Sequence, residues 1–104
     1  GSSGISETIS SGTDTQVAFT CDVSAVKIFF IKASTACTIE TNATNGSVNV
    51  FTMAAGIPYL WTSSDGGSFR DTAGTAVTTD VTTLYVTNVA SCDLEIRVLT
   101  DATP

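Results

Sequence analysis

The segment Asp93–Thr100, DLEIRVLT, alternates without a break: Leu94, Ile96 and Val98 fall on one side, Glu95 and Arg97 on the other. Successive side chains of a strand point to opposite faces, so a period of two marks a half-buried strand. The same kind of run recurs along the chain with turn-forming residues between. Thr15–Cys21, Val26–Ala33, Cys37–Thr41, Ser47–Met53, Tyr59–Ser63 and Val81–Asn88 complete the set. No stretch repeats apolar residues at helical spacing over three turns, so little helix is expected, under about one-tenth of the chain. About seven or eight short strands separated by turns predict an all-β antiparallel β-sandwich, or a partly closed barrel. The predicted core is Val17, Phe29, Ile31, Ile39, Val50, Leu84, Val86, Leu94, Ile96 and Val98.

Two stretches of the chain resemble each other. With Cys92 placed over Cys37, LYVTNVASCDLEIRV matches FFIKASTACTIET: Leu84 falls on Phe29, Val86 on Ile31, Leu94 on Ile39 and Glu95 on Glu40. Similar lead-ins, Asp22–Val26 and Asp80–Leu84, precede them. The match reads as one hairpin written twice, a structural pseudo-repeat with matching faces buried against each other. Convergence on ordinary hairpin patterning is the other explanation.

Composition narrows the surface. Only 13% of the residues are charged, whereas Thr supplies 19 and Ser 12 of the 104 residues. Thr suits a strand, its methyl packing and its hydroxyl facing water, so solubility here does not depend on dense charge. The net charge of −6 comes from ten acids against Lys27, Lys32, Arg70 and Arg97. Binding a phosphate backbone needs several clustered cations, which excludes nucleic acid as the expected partner. No apolar run approaches the roughly 20 residues of a membrane-spanning helix. No secretory signal is visible. The missing initiator Met reads as processing or an expressed piece, and GSSG as a scar or linker end. Residues 1–14 are therefore expected to form a flexible or partner-binding arm, and 15–104 a single sandwich domain.

A search for chemistry finds little. The absence of His removes Ser-His-Asp and Cys-His arrangements and the commonest zinc ligand. Asp65, Asp71 and Asp80 lie around the Gly-rich stretch 64–76, where paired carboxylates could serve a glycosidase or hold Ca²⁺. Their spacing matches no calcium loop, and acids in such loops are ordinarily turn formers. No catalytic residue, metal or cofactor is expected. Asn42-Ala43-Thr44 and Asn45-Gly46-Ser47 fit glycosylation acceptors, which arise easily by chance in so Ser- and Thr-rich a chain. Cys21, Cys37 and Cys92 have no metal-ligand spacing. They read as small buried residues, with a Cys37–Cys92 disulfide as the alternative.

Two surfaces suggest binding. Val26–Ala33 is apolar on both faces, Phe29 and Ile31 on one and Ile28 and Phe30 on the other. One sandwich core consumes only one of them. With Ile5 and Ile9 of the N-terminal segment, Ile28 and Phe30 form a candidate interface with another subunit. Tyr59, Trp61 and Phe69 form the alternative, an aromatic platform on which a sugar could stack. The opposing expectation places Trp61 in the core.

With its closing segment DVTTLYVTNVASCDLEIRVLTDATP and its run CTIETNATNGSVNVFTMAAGIPYLWTSSDGG, the chain from Ile5 onward resembles the small all-β virion proteins of tailed bacteriophages. The resemblance is to the accessory or decoration proteins of capsids in size, in Thr, Ser, Ala and Gly content, and in paucity of Lys. It implies a non-enzymatic role: binding the major capsid protein lattice and reinforcing it, as a homo-oligomer and often a trimer, on a virion assembled in the host cytoplasm. The three cysteines depart from that pattern, although unpaired thiols suit assembly in a reducing cytoplasm. A carbohydrate-binding sandwich module is the alternative function.

Overall fold

The computed structural model describes residues 2–65 and 67–101, and at Asp65 the backbone alone. Eight strands form two four-stranded antiparallel sheets: β1 (Ser2–Ile9), β2 (Gly12–Val17), β3 (Val26–Ala33), β4 (Cys37–Thr41), β5 (Val50–Met53), β6 (Tyr59–Thr62), β7 (Leu84–Asn88) and β8 (Cys92–Thr100). Two single-turn 3₁₀ segments, Val23–Ala25 and Ser63–Asp65, are the helical elements among the described residues. The first sheet runs β1-β8-β3-β6 and the second β2-β7-β4-β5, so the architecture is a sandwich and not a closed barrel.

The repeated stretch explains this topology, but not as a hairpin. β3 and β4 lie in different sheets, and so do β7 and β8. Each copy is therefore an arch that crosses from one sheet to the other. The two arches interlock, β3 pairing with β8 and β4 with β7. Exchanging the copies maps one of these strand pairs onto the other, an approximate two-fold relation. Alternation in a sequence says which residues point inward. It does not say whether the next strand lies beside the last one or across the core from it, so a hairpin and an arch share one pattern. The hairpin that does form joins β4 to β5, and Gly46 in its connection takes the left-handed conformation that the Asn45-Gly46 signal anticipates.

Nine of the ten predicted core residues are buried. Val50 is the exception: it is half-buried, while Phe51 and Met53 carry the inner face of β5. Register decides this. Phe51 lies opposite Ile39 and Met53 opposite Cys37, and directly opposed residues share a face. With Ile39 and Cys37 inward, Phe51 and Met53 must be inward too. Both parities of Val48–Met53 are apolar, so the strand alone could not settle its own orientation.

Residues 2–9 form a full strand against β8, in register from Ser2 opposite Leu99 to Ile9 opposite Cys92. The segment expected to be an arm thus supplies β1 and, from Gly12, the start of β2. Ser2, Ser3 and Gly4, read in the sequence as a scar or linker end, belong to this pairing; Gly1 lies outside the described residues.

A candidate protein-binding face

The three aromatics of the alternative sugar platform pack toward the core. Phe29, Phe51, Phe69 and Trp61 are buried in one cluster, with Phe69 4.6 Å from Phe29 and 5.4 Å from Trp61 between ring centroids. Tyr59 packs against the same cluster and donates its hydroxyl hydrogen to the carbonyl of Arg70 at 2.5 Å. Trp61 and Phe69 do line a hollow of about 440 Å³ at one end of the sandwich, together with Lys27, Ser24 and Thr78. Their rings are more than nine-tenths buried, however, and present no open row for a sugar to stack on.

The acids of the long loop have separate tasks. Asp71 is buried, and Oδ1 accepts from the backbone N–H groups of Ala73 (2.9 Å) and Thr75 (3.0 Å). Its Oδ2 accepts from Asn49 Nδ2 (3.0 Å) and the Val50 N–H (3.4 Å). Burial pushes this carboxyl up, but the bonds from Asn49, Thr75, Ala73 and Val50 together hold it below its ordinary value. Asp80 accepts from the Val23 N–H at 3.0 Å. The side chain of Asp65 lies outside the described residues. Asp71 fastens the loop to β5 and Asp80 ties two connections together, as loop carboxylates that satisfy backbone donors do. Among the described residues no three His, Cys, Asp or Glu side chains converge as a metal site would require.

The outer face of the first sheet is different. With Phe29, Ile31, Trp61, Ile96 and Val98 inward, the intervening residues must face out. Register then lays them in rungs across the sheet. One rung is Thr62, Ile28, Leu99 and Ser2, and the next is Leu60, Phe30, Arg97 and Gly4. Ile28, Phe30, Leu60 and Leu99 therefore adjoin one another across three strands. Ile28 is 39% exposed, Leu60 57% and Leu99 43%, with Phe30 half-buried among them. A shallow groove runs along this surface past Ile28, Phe30 and Leu99 to Ser2 and Ser3. The following rung, Lys32 and Glu95, is polar, and Glu95 pairs with Arg97 at 3.2 Å to edge the apolar area with charge. An apolar centre with a charged margin has the composition of an interface core and its rim.

The candidate interface from the sequence divides accordingly. Ile28 and Phe30 lie on this outer face. Ile9 is buried in its own chain and Ile5 packs against the core, because they oppose the inward-facing Cys92 and Ile96. Leu60 and Leu99 join the face through pairing alone. Each sits between inward-facing neighbours, Tyr59 and Trp61 or Val98 and the strand end, and only register brings them beside Phe30 and Ile28.

Comparison with known proteins adds no relative. No family model, curated protein or solved structure matches the chain.

Gly4 is the tight point on this face. The Arg97 side chain lies over it and Nη1 donates to the Ile5 carbonyl at 3.4 Å. A Cβ at position 4 would sit 2.3 Å from the Ile96 carbonyl oxygen and 3.0 Å from Arg97 Nη1. Backbone cannot yield as a flexible side chain does, so Gly4→Val is expected to push the start of β1 off β8 at a cost of about 1–3 kcal/mol. Hydrogen exchange checks this. Amides of Ser2–Ser6 should lose protection while those of β3 and β7 keep theirs, and unchanged protection in β1 would contradict the close approach.

Proposed function

We propose that this chain is a non-enzymatic virion structural protein, a capsid decoration or accessory protein that reinforces the lattice of the major capsid protein as a homo-oligomer, with a trimer favoured. The observation that carries this reading is the exposed cluster of Ile28, Phe30, Leu60 and Leu99 on the outer face of the first sheet. A soluble domain gains nothing from leaving a contiguous apolar area in water, and burying such side chains contributes about 1.5–3 kcal/mol each. A sheet face is also rigid, so little ordering cost opposes its docking. The resemblance to phage virion proteins in size and composition supplies the kind of partner, and the all-β sandwich agrees with it.

The direct test is co-sedimentation with empty shells assembled from a tailed-phage major capsid protein in the absence of this chain. The unmodified protein is expected to sediment with the shells in a saturable, stoichiometric ratio. Absence from the pellet, together with retention on a glycan array, would favour the carbohydrate-binding module, with the hollow beside Trp61 as the place to look.

A further inference from the structure

We propose that Cys37 and Cys92 form a disulfide that clamps the two sheets together once the chain meets an oxidising environment. The inference stands apart from capsid binding and rests on the interlocked arches. Cys37 opens β4 in the second sheet and Cys92 opens β8 in the first, so each is the first residue after its arch crosses the core. They are also the residues that the internal repeat superimposes. A two-fold relation carries each onto the other, and equivalent residues near such an axis meet.

The surrounding bonds hold the approach in place. Ser34 donates its N–H to the Asp93 carbonyl at 3.0 Å, and the Asp93 N–H returns a bond to Ser34 Oγ at 2.8 Å. Thr35 Oγ1 donates to the Ser91 carbonyl at 3.2 Å, and the Cys92 thiol donates to the Thr35 carbonyl at 3.8 Å. The ladders fix both backbones, Cys37 opposite Asn88 and Met53, and Cys92 opposite Ile9. Both thiols are buried and free in this structure, and the Cys92 thiol sits 3.8 Å from the carbonyl two residues before Cys37. Cys21 has a different setting, bridged to Val81 with Asp22 and Asp80 as its charged neighbours.

The chemistry needs a named oxidant, and a low-molecular-weight disulfide such as oxidised glutathione is sufficient. One cysteine thiolate attacks a sulfur of the small disulfide, forming a mixed disulfide and expelling one small thiolate. The second cysteine thiolate then attacks the protein sulfur of that intermediate and expels the other. Two protein thiols lose their protons and two electrons pass to the oxidant, which leaves as two thiols. Burial first, then the charge of Cys92 and a hydrogen bond with it, push Cys37 up to about 12, so the closed native protein exchanges slowly. The bond therefore forms during folding or transient opening, and once formed it is shielded in the same way.

The test is refolding of the full chain in a glutathione redox buffer and, separately, in excess reductant, followed by alkylation in denaturant and peptide mapping. The expected oxidised product joins the Cys37 and Cys92 peptides and leaves Cys21 alkylated. The long loop so closed should favour the folded state by about 30- to 1000-fold relative to the reduced form. Cys92→Ala should remove the redox dependence of unfolding, and Cys21→Ala should retain it. Alkylation of all three cysteines after oxidative refolding, or a bond involving Cys21, would overturn the proposal. So would oxidised and reduced forms that unfold at the same denaturant concentration. Mapping of the unmodified chain decides the matter even where a variant fails to fold.

Discussion

Truncation of Phe51 to Ala is expected to cost about 3–5 kcal/mol of folding free energy. Phe51 is among the largest fully buried side chains, and its ring lies 5.4 Å from Phe29, 5.9 Å from Tyr59 and 6.1 Å from Phe69. Phe29 and Tyr59 come from two strands of the facing sheet and Phe69 from the long loop, so the space left by Phe51 cannot be filled by the movement of one neighbour. The loss combines the transfer energy of the ring, the aromatic contacts and the residual cavity. A domain of this size has only about 5–15 kcal/mol in total. Urea unfolding followed by Trp61 fluorescence checks this. A loss below about 1 kcal/mol would mean that Phe51 does not face the core.

Asp71→Ala is the second large effect, expected at about 1–3 kcal/mol, because one carboxylate now accepts from Asn49, Val50, Ala73 and Thr75 together. Asn49 Nδ2 keeps acceptors at Thr75 and Ala76, but the N–H groups of Ala73 and Thr75 lose theirs. The loop should then detach from β5 and uncover Phe69. The same carboxylate makes stability depend on pH. Its folded pKa is lowered, so its contribution is fully present above the ordinary carboxylate range near 4 and is lost as the pH falls through the folded value. Asp71→Asn should therefore be less stable at neutral pH and flatter in its acid limb. An acid limb as steep as that of the unmodified protein would assign the dependence to other carboxylates.

The sequence shows inward-facing residues most clearly where only one parity is apolar. In β8, Leu94, Ile96 and Val98 alternate with polar partners until Leu99, and their burial follows directly. In β5 both parities are apolar, and pairing with β4 was needed to choose Phe51 and Met53. β1 carries little signal because Ser, Gly and Thr fill its outer positions and only Ile5 and Ile9 mark the inner ones. Its strand character comes from the backbone pairing offered by β8. The duplicated stretch was visible as similarity, yet its shape, an arch and not a hairpin, depends on which sheet receives the next strand. The candidate face divides in the same way. Ile28 and Phe30 stand out because β3 is apolar on both sides, whereas Leu60 and Leu99 become part of the face only through long-range register.

That face carries the account, and sedimentation velocity over a concentration series tests it most directly. The unmodified protein is expected to associate, with a trimer as the main larger species at high micromolar concentration. Phe30→Asp removes the central ring of the apolar cluster and puts a carboxylate directly opposite Arg97, where both charges would have to leave water on docking, so association becomes unfavourable. Phe30 is only half-buried and points away from the core, so this variant should remain a folded monomer with the circular dichroism of the parent. An unmodified protein that stays monomeric throughout, or a Phe30→Asp variant that associates as the parent does, would contradict the assignment of this face as the site of assembly.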